Sequence, residues 1–373
     1  MNPDIKVLIL YASYGKGHIQ VSEALMKRFQ DRGIRNIVLM DLFAQAHPLI
    51  DAISRYIYIK SFTVFSSVYG WLYDRTKDMR HDTPVSSRFN AFGIRELKKI
   101  IEEEKPDLVI NTFPMQAMAE LCKKIGQKIP TYTVLTDFTI HNRWLHPGID
   151  KYFVPTRDIK LKLVTKGIRP EKIKVSGIPL REGFEKQAPL PYSYERFGLS
   201  PLKKTVLIMG GAYGVLAELK QLCEAISFID GVQVLLVCGG NDKVKKEMDA
   251  RFARNQDVSV LGFVEDVHNV MRMASCIVTK AGGVTLSEAL AVTLPIVIFR
   301  PVPGQEKENA DYLSQAGAAI TAEHIDELTK KVSHILADNQ RLIEMKKAIL
   351  RLQRRNAADT IVTDIMNNVL IRQ

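Results

Sequence analysis

The sequence predicts an α/β protein: two Rossmann-like domains, each built on a parallel sheet, facing a central cleft. Three observations carry this expectation. Strand-like and helix-like runs alternate almost throughout, the rhythm of parallel strands joined by helical crossovers. A proline-bearing stretch, "EKQAPLPYSYERFGLSPLKK", interrupts that rhythm, and the opening pattern of apolar run, glycines and helix then starts again. Finally, 373 residues exceed what one ordinary core accommodates and fit two domains.

Taken in order, "IKVLILY" at 5–11 reads as a buried strand, 18–32 as a helix and "NIVLMDL" at 36–42 as a second strand. "RELKKIIEEEKPDLVINTF" gives a helix, a proline break and a strand near 107–112, and "PTYTVLTDF" and "KYFVPT" add two more. After the interruption, "TVLIMGGAYGV", "VQVLLVCGG", "VSVLGFV", "CIVTKAGG" and "PIVIFRP" supply the strands of the second domain. The expected boundaries are a first domain over 1–186, a linker over 187–204, a second domain over 205–340 and a helical segment over 341–373 that packs back on the first domain.

Composition narrows the function. A 46% hydrophobic and 25% charged chain is that of a soluble globular protein. The four cysteines (Cys122, Cys223, Cys238, Cys276) are scattered, without the spacing of a metal knuckle or redox pair, as in a reducing compartment. No run approaches the roughly 20 apolar residues needed to cross a bilayer, and no signal peptide is evident. The expected location is cytoplasmic, peripheral to the inner face of the cell membrane. The net charge of +11 is uneven: residues 1–186 carry 30 basic against 20 acidic side chains, and 187–373 carry 22 against 21. A basic first half faces an anionic partner or simply keeps the surface solvated.

One segment breaks the rhythm. Residues 49–80 interleave Tyr56, Tyr58, Phe62, Phe65, Tyr69, Trp71 and Tyr73 with Arg55, Lys60, Arg75, Lys77 and Arg80. Rings at headgroup level and cations on anionic lipid are what an interfacial segment uses, so Tyr58, Phe62, Phe65, Tyr69, Trp71 and Tyr73 are the expected membrane contacts. The competing reading is an aromatic-rich insertion packed on its own domain. Stacking on single-stranded nucleic acid would look similar, but no nucleic-acid module accompanies it, and no nucleic-acid partner is expected.

Ligands of open α/β sheets gather at the carboxyl ends of the strands, where both glycine loops, 15–17 and 210–214, fall. The first loop is half a dinucleotide fingerprint: Gly15 and Gly17 are present, Gln20 takes the third glycine position, and Asp41 ends the next strand. The P-loop pattern G-x-x-x-x-G-K-[ST] is absent. In the second domain, "TKAGGVTLSEALAVTLPIVIFRPVPGQEKENADYL" runs from a strand through Gly282 and Gly283 into a helix carrying Thr285 and Glu288. A helix N-terminus offers unpaired N–H groups and a positive dipole end to a diphosphate, and Glu288 one turn further on suits ribose hydroxyls. Gln305, Glu306 and Asn309 follow the next strand, and amides with carboxylates together suit a polyhydroxylated ligand.

These segments resemble the GT-B glycosyltransferases of the group that contains the monogalactosyldiacylglycerol synthases and the lipid-II-forming N-acetylglucosaminyltransferase. "GKGHIQVSEAL", "TDFTIHNRW", "VSGIPLREGF", "MGGAYGV", "GFVEDV", "KAGGVTLSEAL" and "PGQEKENADYL" occur in the family's order over almost the full chain, and the last two are the most specific. The nearer branch is the bacterial processive 1,2-diacylglycerol β-glucosyltransferases of lipoteichoic-acid anchor synthesis. The resemblance implies an inverting transfer of a hexose, glucose by preference, from UDP-glucose or UDP-galactose to diacylglycerol and on to its glycosylated products at an anionic membrane surface. It implies that Phe263 and Val264 hold the uracil, that Gly283, Val284 and Thr285 hold the diphosphate with Gly211 and Ala212 closing on it, and that Gln305 and Glu306 meet the hexose. Gly15, Gly17, His141 and Trp144 fall on the acceptor side. Two departures stand out: the plant synthases have Pro-Gly-Thr where this chain has Gly283-Val284-Thr285, and the first glycine loop is shorter than in the lipid-II enzyme. Other readings are a UDP-GlcNAc transferase to a polyprenyl-linked peptidoglycan precursor, a UDP-sugar epimerase, and a UDP-sugar-sensing regulator at the membrane.

No D-x-D occurs in the chain, so no metal or other cofactor is expected, and the leaving-group charge falls to a helix N-terminus and cations. An inverting displacement requires a base at the acceptor hydroxyl. His18, Asp137 and His141 are the candidates; His18 is favoured, with Asp137 as its partner, an orienter of the acceptor or the base itself.

Overall fold

The computed structural model describes residues 4–13, 15–46, 66–79, 93–186, 194–210 and 218–370. Two compact units emerge: the first comprises 1–181 and 354–373, the second 182–353.

The first unit runs β1 (Val7–Tyr11), α1 (Lys16–Asp31), β2 (Ile37–Asp41), α2 (Leu42–Ala46), α3 (Ser66–Thr76), α4 (Ile94–Glu104), β3 (Leu108–Asn111), α5 (Ala117–Ile125), β4 (Thr131–Val134), β5 (Lys151–Val154), α6 (Arg157–Thr165) and β6 (Ile173–Val175). Its six strands are parallel in the order β2-β1-β3-β4-β5-β6. Val7, Leu8, Ile9 and Leu10 are all buried because both faces of a parallel sheet are covered, which is why the run reads as continuously apolar. On one face Leu8, Leu10 and Val109 pack with Leu97, Ile100 and Ile101 of α4 and Met118 and Leu121 of α5.

The second unit holds α7 (Glu182–Glu185), β7 (Lys204–Met209), α8 (Leu219–Ser227), β8 (Val232–Val237), α9 (Asp242–Phe252), β9 (Val258–Leu261), α10 (Val267–Met273), β10 (Cys276–Thr279), α11 (Gly283–Ala291), β11 (Ile296–Phe299), α12 (Gln305–Gln315), β12 (Ala319–Ala322), α13 (Ile325–Ala337) and α14 (Asn339–Leu352). The sheet order is β12-β11-β10-β7-β8-β9, again all parallel. Val206, Ile208, Val234, Leu236 and Val278 form the centre of its core with Leu222 and Ile226 of α8. Cys223, Cys238 and Cys276 are buried thiols, and burial pushes each thiol pKa up, to about 12, 11 and 12 respectively.

The last helix, α15 (Ala357–Leu370), belongs to the first unit, whereas residues 341–353 belong to the second. It lies on α1 and buries Ile361, Val362, Ile365 and Met366. Polar contacts set its register: Arg32 Nη2 donates to Asp359 Oδ1 at 2.6 Å and to Thr363 Oγ1 at 3.0 Å, and Lys151 meets Asp364 at 2.6 Å. Where the chain re-enters the unit, Gly177 has φ +88°, and a Cβ there would lie 2.6 Å from Arg354 Cβ, so no other residue fits without a backbone shift. Among the described residues no helix is long and apolar enough to cross a membrane.

Docking of α15 therefore rests on apolar burial more than on its ion pairs. Ile365→Ala is expected to destabilise the first unit by about 2–5 kcal/mol, whereas Arg32→Ala, which breaks a partly exposed pair, costs at most about 1 kcal/mol. Urea unfolding monitored by a probe in the first unit checks the ranking.

Candidate active site

Each unit offers one crevice by topology alone. Where strand order reverses, the crossovers diverge to opposite faces and the carboxyl ends of two neighbouring strands are left uncovered. In the first unit this point lies between β1 and β3, in the second between β7 and β10.

His18 stands at the first of these points, in the opening turn of α1. Its Nδ1 lies 2.7 Å from the carbonyl oxygen of Thr112, just past β3. A carbonyl only accepts, so Nδ1 carries the proton and Nε2 holds the lone pair. The support is layered: Thr112 Oγ1 lies 2.9 Å from Ser22 Oγ, which in turn donates to the His18 carbonyl, and the ring meets Phe113 edge-on at 5.1 Å. Burial lowers the His18 pKa; the carboxylate of Asp137 and the bond to Thr112 oppose that shift without cancelling it. The imidazole is therefore neutral, with Nε2 basic, at neutral pH. Asp137 is itself buried, with Thr136 Oγ1 at 3.4 Å from its Oδ2. Gly15 is extended, with φ −174°, and an added Cβ would meet nothing. A glycine there leaves the approach to α1 open and serves neither the turn nor the packing.

Three residues expected on the acceptor or membrane side have other employment. His141 Nδ1 accepts the backbone N–H of Arg143 at 3.1 Å, so Nε2 bears the proton and faces Thr76 Oγ1 at 3.2 Å. With its lone pair accepting from Arg143 and its pKa pushed down to about 4, first by burial and then by Arg143, His141 joins α3 to the turn at 142–144. Trp144 is buried in the core beside Leu135, Ile149 and Tyr152. Tyr73 is buried too, 7% exposed, with its ring 5.1 Å from His141, so it is unavailable to a bilayer. Trp71 on the same helix is 61% exposed, with the Arg75 guanidinium 5.5 Å from its ring. Tyr58, Phe62, Phe65 and the side chain of Tyr69 lie outside the described residues, as do Gly211 and Ala212. Asp41, which marked the ribose position of a dinucleotide fold, accepts the N–H groups of Ser13 at 2.9 Å and Ala44 at 3.1 Å and so builds its own loop.

The second crevice is assembled from three strand ends. β10 delivers Lys280, Ala281 and Gly282, and Gly282 starts α11 without a side-chain cap, leaving the positive end of the helix dipole at Gly283, Val284 and Thr285. Glu288 is buried one turn along the same helix. After β11, Gly304 adopts φ +97°, ψ −135°, a region only glycine occupies readily, and aims α12 so that Gln305 and Glu306 open it. Glu306 pairs with Lys280 at 3.3 Å. Asn309, expected to reach the ligand, is fully buried and donates from Nδ2 to the Ala281 carbonyl at 3.0 Å; it braces the loop from beneath. Past β9, Phe263 is 62% exposed, a ring presented to solvent beside Val264 at a strand end. Lys280 is the functional candidate that motif reading passed over. It opens the quoted "KAGGVTLSEAL", and its ammonium group is the cation nearest in sequence to the uncapped helix.

Two parallel-sheet units, one with a half-buried histidine at its strand reversal and the other with a helix start and a buried carboxylate one turn on, make up a GT-B architecture. Solved structures share that fold: Acinetobacter baumannii MurG (TM-score 0.63, 16% identity, 97% of this chain and 99% of that one) and spinosyn rhamnosyltransferase SpnG with thymidine diphosphate (0.65, 15%, 96% and 99%). S. aureus MnaA bound to UDP is equally similar (0.65, 16%, 97% and 96%). Residues 18–180 match the monogalactosyldiacylglycerol synthase family model, and 205–361 match the glycosyltransferase family 28 C-terminal domain. The chain is 41% identical over 362 residues to processive diacylglycerol beta-glucosyltransferase of Bacillus cereus (strain AH187), covering 97% of this chain and 93% of that one. The counterpart from Bacillus thuringiensis (strain Al Hakam) is 40% identical with the same coverage. The chain belongs to the monogalactosyldiacylglycerol synthase and family 28 group of glycosyltransferases.

The His18 geometry sets the sign of a pH effect. A base with a lowered pKa is lost only when pH falls below that value, so the acid limb of kcat/KM is expected below about 6.5, the value for an unperturbed histidine. Because the Asp137 charge raises the His18 pKa, Asp137→Asn should move the limb to still lower pH. A pH–rate profile of both proteins checks this, and an unshifted limb with activity retained would detach Asp137 from His18.

Proposed function

We propose that this enzyme transfers glucose from UDP-glucose, with inversion, to the hydroxyl of diacylglycerol and then to the glycolipid so formed. The observation that carries the reading is identity of 41% over 97% of the chain with a processive diacylglycerol beta-glucosyltransferase. The fold alone would not do so, because UDP-N-acetylglucosamine 2-epimerase shares it at a TM-score of 0.63 and 16% identity.

In this reading the donor lies on the second unit. The exposed Phe263 covers the uracil beside Val264, the N–H groups at the start of α11 take the diphosphate, Glu288 accepts from ribose hydroxyls, and Gln305 and Glu306 meet the hexose. Lys280 adds positive charge where the leaving group develops its negative charge. On the first unit His18 Nε2 receives the acceptor's hydroxyl proton as the alcohol oxygen attacks the anomeric carbon and UDP departs. Trp71, exposed on α3 with Arg75 over its ring, is the kind of ring-and-cation pair that lodges at an anionic lipid surface, and the basic first half of the chain favours the same partner.

Separate incubations of diacylglycerol with UDP-glucose and with UDP-galactose, followed by lipid mass analysis, test the activity. Hexosyl and dihexosyl lipid from UDP-glucose is the expected result, and hydrolysis or epimerisation without lipid product would overturn it. His18→Ala should abolish transfer while UDP still binds. Glu288→Gln should raise the donor KM about 10-fold or more, the loss of charge-assisted bonds to ribose. An unchanged donor KM would remove Glu288 from the ribose.

A further inference from the structure

Two residues at the carboxyl edge of the second sheet hold conformations that L-residues avoid, and they are bonded to each other. Arg300, one residue past β11, has φ +46°, and Glu218, one residue before α8, has φ +62°. Arg300 also precedes Pro301, a position normally driven to extended backbone, so its strain is compounded. Such strain persists only where surrounding contacts impose it, and it gathers at ligand clamps.

The imposing contacts are visible. The Arg300 N–H donates to the Ala322 carbonyl at 2.9 Å, and Nε donates to the Glu323 carbonyl at 2.7 Å. The guanidinium carbon lies 5.0 Å from the Phe299 ring centre. The stem and one edge of the guanidinium are thereby fixed, and the other edge is aimed: Nη1 reaches Glu218 Oε1 at 3.1 Å. In the sheet, β10 lies between β11 and β7. β10 pairs with β11, Thr279 against Ile298, so Arg300 follows β11 beside the residues that carry β10 into Gly282 and α11.

We propose that Arg300 is a cation for the donor's diphosphate, held by Glu218 until the donor arrives. This rests on the reading that the second unit binds a nucleotide sugar. An exposed pair is the right kind of parking contact. The two side chains are 39% and 37% exposed, and exposed pairs are weakly held, so a phosphate oxygen displaces the carboxylate at little cost. The planar guanidinium, already oriented through Nε, offers its remaining N–H groups to two phosphate oxygens in the fork geometry that Lys lacks. Glu218 would then act as a competitor of the ligand: it pairs with the exposed guanidinium and yields it to the diphosphate.

Titration calorimetry with UDP and with uridine on the full-length protein tests the exchange, because uridine carries the base and ribose without the diphosphate. Wild-type protein should bind UDP more tightly than uridine; binding of neither would defeat the donor reading itself and leave Arg300 with no ligand to meet. Arg300→Gln should weaken UDP at least 10-fold and change uridine less than about 2-fold, and Arg300→Lys should recover part of the loss. Glu218→Gln should tighten UDP about 2- to 5-fold by removing the competing carboxylate. Unchanged UDP affinity in Arg300→Gln would overturn the proposal. So would an equal loss of UDP and uridine with a lowered Tm, the mark of a merely structural Arg300, or weaker UDP binding in Glu218→Gln.

Discussion

Parallel strands cannot be joined by hairpins, and from that constraint the rest of this molecule follows. Every strand must be re-entered from the same end through a crossover, most often a helix, so all carboxyl ends in a sheet lie along one edge, and the helices that leave them begin there. Dipole, loop and exposed backbone N–H groups are concentrated on that edge before any particular side chain is chosen. The strand orders β2-β1-β3-β4-β5-β6 and β12-β11-β10-β7-β8-β9 each reverse once. His18 and α11 stand at those two reversals, one on each unit.

The two edges are equipped for opposite electrostatic tasks. On the first unit, burial keeps an imidazole neutral, and the Thr112 carbonyl selects the tautomer that leaves Nε2 basic. On the second, Lys280 just before α11 and Arg300 just past β11 are each paired with a carboxylate, at 3.3 and 3.1 Å. A partly exposed pair such as Arg300–Glu218 is weakly held and can be exchanged for another anion.

The periodicity of the sequence shows the strands well, because runs such as "VLILY" and "TVLIM" are apolar on both faces and glycines mark their exits. It also places Glu288, Gln305, Glu306 and Phe263 near strand ends. What it does not show is where each side chain points. His141 and Trp144 follow a strand end in a motif, yet one caps a turn and the other fills the core. Tyr73 and Trp71 are two residues apart on a helix and so point to different faces, one buried and one exposed. Asn309 lies one turn beyond Gln305 on α12, and a fully buried amide there can only brace. Arg300 and Glu218 are 82 positions apart in sequence, and nothing in either neighbourhood announces that they meet.

The base proposed here, a neutral histidine, also constrains the order of events in the proposed transfer. An alcohol is a far weaker acid than an imidazolium, and burial lowers the His18 pKa further. Complete deprotonation before attack is thus strongly uphill. The proton must therefore move as the new C–O bond forms, when the attacking oxygen has already become acidic. Bond formation at the anomeric carbon in turn proceeds only as UDP leaves, so stabilisation of the leaving diphosphate on the second unit lowers the same barrier as the base on the first.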